Sequence, residues 1–381
     1  MTSVRTENVR KAPADVSIKA IRSSLLRAPV GKQDFLLVEV ETDAGITGVG
    51  DATLDGNVEM VYHAVARLEG FLRGQDPLAG AEIWRALVAQ NDAADAIFWA
   101  ALGGIDMALW DIRGKILGVP AYQLAGGPTR QKVRIFAPLS GSTTAELAEC
   151  AQRQYREGVR AFQFSVPPPP TRKPLLQYRD NVRQTLEKLR EAIPDGEFII
   201  GCNGKLSAYE VAQWAHALEP LRPLWLDEPF SDPTKGYARE LAQATVIPLG
   251  GGRGNAGLAG FLDYLRQQTF DVLRPDIVAG GGITNVRKVA HLAESHYLAL
   301  APFNGGTPVA TAAALQVAAS VSNFYIQEIP WLPDERDRQM RADLLAQPLE
   351  VFHDGYVDLP SAPGLGIELN RESLERYRAA R

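Results

Sequence analysis

Four short runs decide the fold: LWLDEP (224–229), VIPLGGGRG (246–254), DVLRPDI (271–277) and LALAPF (298–303). Each is an apolar stretch of strand length that ends in polar or glycine residues. Helical spacing follows, as in NVRKVAHLAESH (285–296) after the third run. Toward the N-terminus the same rhythm runs back through GEFIIGCN (196–203), VRAFQFSV (159–166) and KVRIFAPLS (132–140). Strands alternating with helical stretches predict βα units and a parallel sheet. Seven or eight such units over roughly 200 residues close into a barrel, with its active site at the C-terminal ends of the strands.

Before residue 130 the pattern is different. Residues 16–54 read as strands, with two β-rich runs joined by the turn Asp43-Ala44-Gly45. Residues 56–117 turn helical, including the Ala-rich AALGGIDMALWDIRGKILG (100–118). An antiparallel sheet followed by helices is an α+β cap. The expected organisation is therefore a disordered lead over 1–15, a cap over 16–128 and a barrel over 129–331. The tail, 332–381, reads as strand and turn that pack back on the cap. Pro167 to Pro170 predict an extended surface connector ahead of a long helix.

Composition bounds the partners. A formal charge of −5 gives no electrostatic case for nucleic acid or an anionic membrane. No apolar run approaches eighteen residues, so no membrane span is expected. The N-terminus lacks an apolar signal core, and two cysteines, Cys150 and Cys202, fit a reducing cytoplasm. Only five histidines are present, which restricts any mechanism that needs one.

The cap and the barrel motifs together resemble the enolase superfamily, in its mandelate racemase and muconate lactonizing enzyme branch. ALGGIDMALWDIRGKILGVPAYQLAGG (101–127) is similar to that branch's interdomain helix. LWLDEP, VIPLGGGRG, DVLRPDIVAGGGIT, LAPFN and FYIQEIPW fall in its order. The resemblance implies a modified TIM (β/α)7β-type barrel with an α+β capping domain. It also implies proton abstraction next to a carboxylate over a magnesium ion held by three strand-end carboxylates. Specificity would come from the cap loop around residues 22–33. Assembly as a dimer or octamer is implied too.

Carried over position by position, most of those roles meet the wrong residue type. Gly201 and Arg253 stand at the first and third ligand positions, and Asp227 alone keeps a carboxylate. Their charges sum to zero where the family carries −3, so no metal and no cofactor are expected. Cys202, a soft thiol, suits magnesium poorly. Gln163 and Ser165 replace the lysine bases. Asp276 keeps the acid of an Asp–His dyad whose histidine is Phe303 here. The string Gly252 to Gly257 follows a strand deep in the barrel series, which does not suit a dinucleotide.

The candidate catalytic residues are therefore Asp227, Arg253, Asp276 and Lys205. Ligand-contacting candidates are Gln163, Ser165, Cys202, Asn203, Phe303, Asn304 and Glu328. Asp227 and Arg253, on neighbouring strands, are expected to form an ion pair. The expected function is that of a small-molecule-binding or structural partner lacking the enolisation site, with an active homologous subunit as a candidate partner. Two alternatives stand beside it. One is a metal-independent lyase or isomerase for a small acidic or polyhydroxy substrate, and the other a conventional acid-sugar dehydratase or racemase.

Overall fold

Strand alternation builds the first sheet of the computed structural model, which describes residues 16–31, 33–91, 95–167, 175–204, 207–230 and 236–379. The predicted lead 1–15 and most of the proline run lie outside the described residues. Strands β1 (Ile18–Arg27), β2 (Asp34–Thr42) and β3 (Thr47–Asp51) pair antiparallel in chain order. The β2–β3 turn passes through Gly45 at φ 77°, a conformation glycine adopts without steric cost. Helices α1 (Val58–Leu72) and α3 (Ala96–Leu117) cover this sheet, α2 (Gly80–Ala89) packs against α3, and α4 (Ala121–Leu124) leads toward the barrel.

α3 is apolar nearly all round, and it is buried on nearly every face because it lies between the cap sheet and the barrel. The approach is very close. A Cβ on Gly50 would fall 1.9 Å from the Gly104 carbonyl oxygen, and one on Gly48 2.1 Å from that of Ala108. Substituting either glycine would push the sheet off the helix.

The barrel follows as β4 (Lys132–Pro138), α5 (Thr144–Arg156), β5 (Ala161–Ser165), α6 (Leu175–Ala192), β6 (Glu197–Gly201), α7 (Ala208–Leu218) and β7 (Leu226–Asp227). It continues with α8 (Gly236–Ala244), β8 (Leu249–Gly251), α9 (Ala259–Gln267), β9 (Val272–Leu273), α10 (Gly282–Ser295), β10 (Ala299–Leu300), α11 (Pro308–Ser320) and β11 (Gln327–Glu328). Among the described residues, eight parallel strands and seven intervening helices make the (β/α)7β arrangement. Neighbours pair in the order β10-β9-β8-β7-β6-β5-β4-β11. Backbone hydrogen bonds between Leu300 and residues Asn323 and Tyr325 link the two ends of that path.

One layer of the barrel interior is a cluster of Phe136, Ala161, Ile199, Trp225, Val272, Ala301 and Ile326, one residue from the line of each of seven strands. The eighth strand offers Gly250. The Trp225 ring fills that place, 2.5 Å from where a Cβ on Gly250 would stand.

The tail differs from its expected strand-and-turn character. It contains α12 (Glu335–Asp343), β12 (Tyr356–Asp358) and α13 (Arg371–Arg376). α12 carries almost no apolar periodicity, but Asp334 caps it by accepting from the Arg336 N–H at 2.9 Å. Residues 377–379 hydrogen-bond along β1 through Arg27 and Leu25. In the cap loop, the N–H groups of Val30 and Gly31 donate to the two oxygens of Asp337 on α12, at 2.8 and 2.7 Å. Among the described residues no helix is long and apolar enough to cross a membrane.

Candidate active site in the barrel mouth

Alternate residues of a strand face the same side, so positions two beyond the inner layer form the floor of the mouth. Those positions are Pro138, Gln163, Gly201, Asp227, Arg274, Phe303 and Glu328. Four of them join in one buried network. Arg274 Nε lies 2.8 Å from Asp227 Oδ1, and Arg274 Nη2 donates to Glu328 Oε2 at 2.5 Å. Trp225 Nε1 also donates to Asp227 Oδ1, and Gln163 Nε2 donates to Asp227 Oδ2, both at 2.9 Å. The Arg274 guanidinium sits 5.2 Å over the Phe136 ring and 5.8 Å from that of Trp225. Burial works against the charge on Arg274, but Asp227 and Glu328 more than offset it and its pKa is raised. Burial likewise pushes Glu328 up, with Arg274 opposing.

The expected Asp227–Arg253 pair is not formed, and Arg274 is the partner instead. β7 and β8 are indeed neighbours. Gly252, however, takes φ 113° at the end of β8 and interrupts the alternation, so Arg253 leaves the floor for the rim. There its backbone N–H donates to Glu228 Oε1 at 2.7 Å, and its Nη2 donates to Asn203 Oδ1 at 3.3 Å. Its guanidinium carbon stands 4.8 Å from the centre of the Phe303 ring. Among the described residues no carboxylate forms an ion pair with that guanidinium.

Asp276 occupies the same rim. Phe303 bridges to it as parallel backbone. Asp276 Oδ1 accepts the N–H groups of Val278 and Ala279 at 2.7 and 3.1 Å, and no described residue engages Oδ2. Loss of hydration pushes this carboxyl up to about 7, against the two N–H donors and Arg253 that lower it, with Asp51 raising it further. Asp51 is a buried acid at the end of β3. It accepts the N–H and hydroxyl of Thr307, which caps α11, each at 2.6 Å. Glu228 is also raised, first by burial and then by Asp227, and its backbone is left-handed at φ 47°.

The other candidates separate by depth. Ser165 is exposed on the rim, and Asn203 is partly exposed in a left-handed turn at φ 55°. Cys202 is fully buried and its thiol donates to the Ile200 carbonyl. Burial and the charges of Asp227 and Glu228 push that thiol up, so it is neither a thiolate nor a wall of the mouth. Asn304 is buried as well and binds Thr311 and the Gly306 N–H, which makes it a loop brace. Lys205 lies outside the described residues.

Three residues of this region escaped the sequence reading: Arg274, Glu228 and Asp51. Arg274 carried a usable signal, since it stands two residues beyond an inward apolar position. Asp51 carried none, because only the tertiary fold brings the cap's third strand to α11.

The family's magnesium does not fit these residues. Gly201 offers no side chain and Arg253 is cationic, while both oxygens of Asp227 are already engaged. Among the described residues no group of three or more His, Cys, Asp or Glu side chains is placed to hold a metal ion.

The sequence profile of the mandelate racemase/muconate lactonizing enzyme N-terminal domain matches residues 3–126, and that of the enolase C-terminal domain-like family matches 146–373. The chain belongs to the mandelate racemase/muconate lactonizing enzyme branch of the enolase superfamily. It is 30% identical to the D-galactonate dehydratase of Variovorax paradoxus over 89% of this chain and 90% of that protein. To the D-xylonate dehydratase of Haloferax volcanii it is 27% identical, over 97% and 91%. A crystal structure of a mandelate racemase/muconate lactonizing enzyme from Jannaschia sp. CCS1 superimposes with a TM-score of 0.86 at 27% identity, covering 96% of this chain and 98% of that one.

These relatives correct one expectation. Reading the chain as a non-catalytic binding or structural partner rested on lost motif residues alone. Whole-length similarity to proteins named as dehydratases overturns it.

Proposed function

We propose that the chain is a lyase of the dehydratase kind, removing water from a small polyhydroxy carboxylate. The observation that carries this reading is Asp276. Its carboxyl is pinned on one oxygen, unengaged by any described residue on the other, raised to about 7, and shares a rim with Arg253. A group poised near neutral pH can both take and give a proton. Sugar-acid substrates are suggested by the dehydratases of similar sequence.

The reaction needs little more than that pair. Arg253 holds the substrate carboxylate and stabilises the enediolate that develops there. Ionised Asp276 takes the proton from the carbon next to the carboxylate. The freed electron pair forms the C2–C3 double bond as the C3–O bond breaks. The same Asp276 then gives its proton to the departing hydroxyl, which leaves as water. The enol tautomerises to a 2-keto acid, so atoms and charge balance with Asp276 returned to its starting form. Location in the cytoplasm and self-association belong to the same proposal, supported by the cysteine usage and the family resemblance respectively.

The test is to incubate the purified chain with a panel of sugar acids that includes D-galactonate and D-xylonate, trapping any 2-keto acid as its semicarbazone. Product is expected with at least one of them. Asp276→Asn should lower the rate about 10²- to 10⁴-fold. If the panel yields no 2-keto acid, the reading is wrong.

A further inference from the structure

The floor of the mouth is closed to a cation by residues of the chain itself. Asp227, the family's one surviving ligand position, has Oδ1 shared by Trp225 and Arg274 and Oδ2 bound to Gln163. Glu328 is held from the other side of the same guanidinium. At position 201 a Cβ would lie 3.0 Å from Gln163 Nε2 and 3.1 Å from Ser165 Oγ. That space is lined by neutral donors of β5. Two carboxylates and one guanidinium leave a net charge of −1, with the guanidinium in contact with both acids.

Among the described residues of the mouth, Arg253 is the cation that remains available. Guanidinium presents five N–H donors in a planar fork. Among the described residues its side-chain N–H groups reach only Asn203, at 3.3 Å, and the planar group rests over Phe303. The rest of the fork can take a carboxylate on two oxygens.

We propose that this barrel binds the carboxylate of its substrate through Arg253 without any divalent cation, Arg274 serving as a permanent internal counter-ion in the cation's place. The proposal rests on the dehydratase reading only for the kind of acid offered to the site. Arg274 is thus a positioning residue that fixes Asp227 and Glu328, and Arg253 is the residue that touches substrate.

Two measurements test it on the full chain. Titration calorimetry with MgCl2 alone should show no saturable binding. D-galactonate, D-xylonate and L-malate should then be compared as stabilisers in thermal unfolding, with EDTA and with MgCl2. At least one should raise Tm equally under both conditions. Arg253→Met should weaken that ligand about 10- to 100-fold, the worth of a charge-assisted hydrogen-bonded pair, while its own Tm stays near that of the parent. Arg253→Lys should retain part of the affinity. Restoring carboxylates in a Gly201→Asp/Arg253→Glu variant should still bind no magnesium, because Arg274 keeps Asp227.

Saturable magnesium binding by the parent chain overturns the proposal. So does ligand stabilisation that disappears with EDTA, or no stabilisation by any of the three acids. Cation-free binding without 2-keto acid formation would leave this proposal standing and sink the dehydratase reading instead.

Discussion

Floor and rim of the same barrel mouth handle charge in opposite ways. On the floor, Asp227, Arg274 and Glu328 are fully buried and mutually paired, with Gln163 and Trp225 taking the remaining Asp227 contacts. On the rim, Arg253 and Asp276 are partly exposed, and neither side chain forms an ion pair among the described residues, although Arg253 lies close enough to lower Asp276. Burial that is answered by a partner contributes to a fixed structure. Burial that goes unanswered leaves a group whose charge is easily changed, which is what proton transfer needs. The floor is therefore scaffold and the rim is machinery, although the family's resemblance assigns chemistry to both.

The hardest way to break that contrast is to remove Arg274. Arg274→Met strands two buried carboxylates, and loss of one side of a buried pair costs about 3–5 kcal/mol. Urea denaturation should show a loss of that size, or the variant should fail to accumulate in folded form. Arg274→Met/Asp227→Asn/Glu328→Gln, which removes all three charges together, should recover most of the loss. If Arg274→Met alone unfolds no more easily than the parent, the floor is not a stabilised network.

Replacing Asp276 should do the reverse. Its folded pKa is raised from 3.8 to about 7. For an acid raised in this way, the stability it allows is complete below pH 4 or so and is lost as pH climbs through about 7. Asp276→Asn escapes that loss. The full shift corresponds to about 4 kcal/mol at 1.36 kcal/mol per pH unit. Partial exposure reduces the expectation to about 1–3 kcal/mol. The variant should thus be more stable than the parent at pH 8 and equal to it near pH 4, while losing activity. Equal stability at both pH values would mean that the carboxyl is not held under strain.

Much of this architecture was legible before any coordinates. The strand-then-helix rhythm from Lys132 onward, and the change of pattern near residue 130, mark barrel and cap because burial enforces each element's own periodicity. The floor was legible too, but only by counting. Trp225, Val272 and Ile326 are inward apolar positions, and two residues on stand Asp227, Arg274 and Glu328. Reading LRPDI for its aspartate alone missed the arginine beside it. The rim was not legible in that way. Arg253 reaches it because Gly252 adopts a positive φ, and a glycine's identity does not say which way the chain will turn. Asp51 and α12 mark two other limits. The first is brought to the barrel by tertiary contact, and the second is a charged helix with almost no apolar stripe.

A raised acid need not be a working one, and Asp106 gives the smallest and most discriminating comparison. It lies on α3, against the barrel helix α10, far along the chain from either layer of the mouth. Thr284 donates to it twice, from the backbone N–H at 2.9 Å and from the hydroxyl at 2.5 Å, and Trp110 Nε1 donates to the same hydroxyl. Burial pushes Asp106 up to about 6 despite those donors, with Arg113 and Lys288 lowering it. Like Asp276, it withdraws stability as pH rises, here between about 4 and 6. Unlike Asp276, both of its oxygens are engaged, so it has no free oxygen with which to move a proton. Asp106→Asn should flatten the pH dependence of unfolding in that window. Its net stability at pH 7 should shift by only about 1 kcal/mol, because relief of the buried charge is offset by one poorly matched hydrogen bond. Its turnover should match the parent's. A fall in activity as large as that of Asp276→Asn would show that cap docking at Thr284 controls the chemistry, and the division between scaffold and machinery would have to be redrawn.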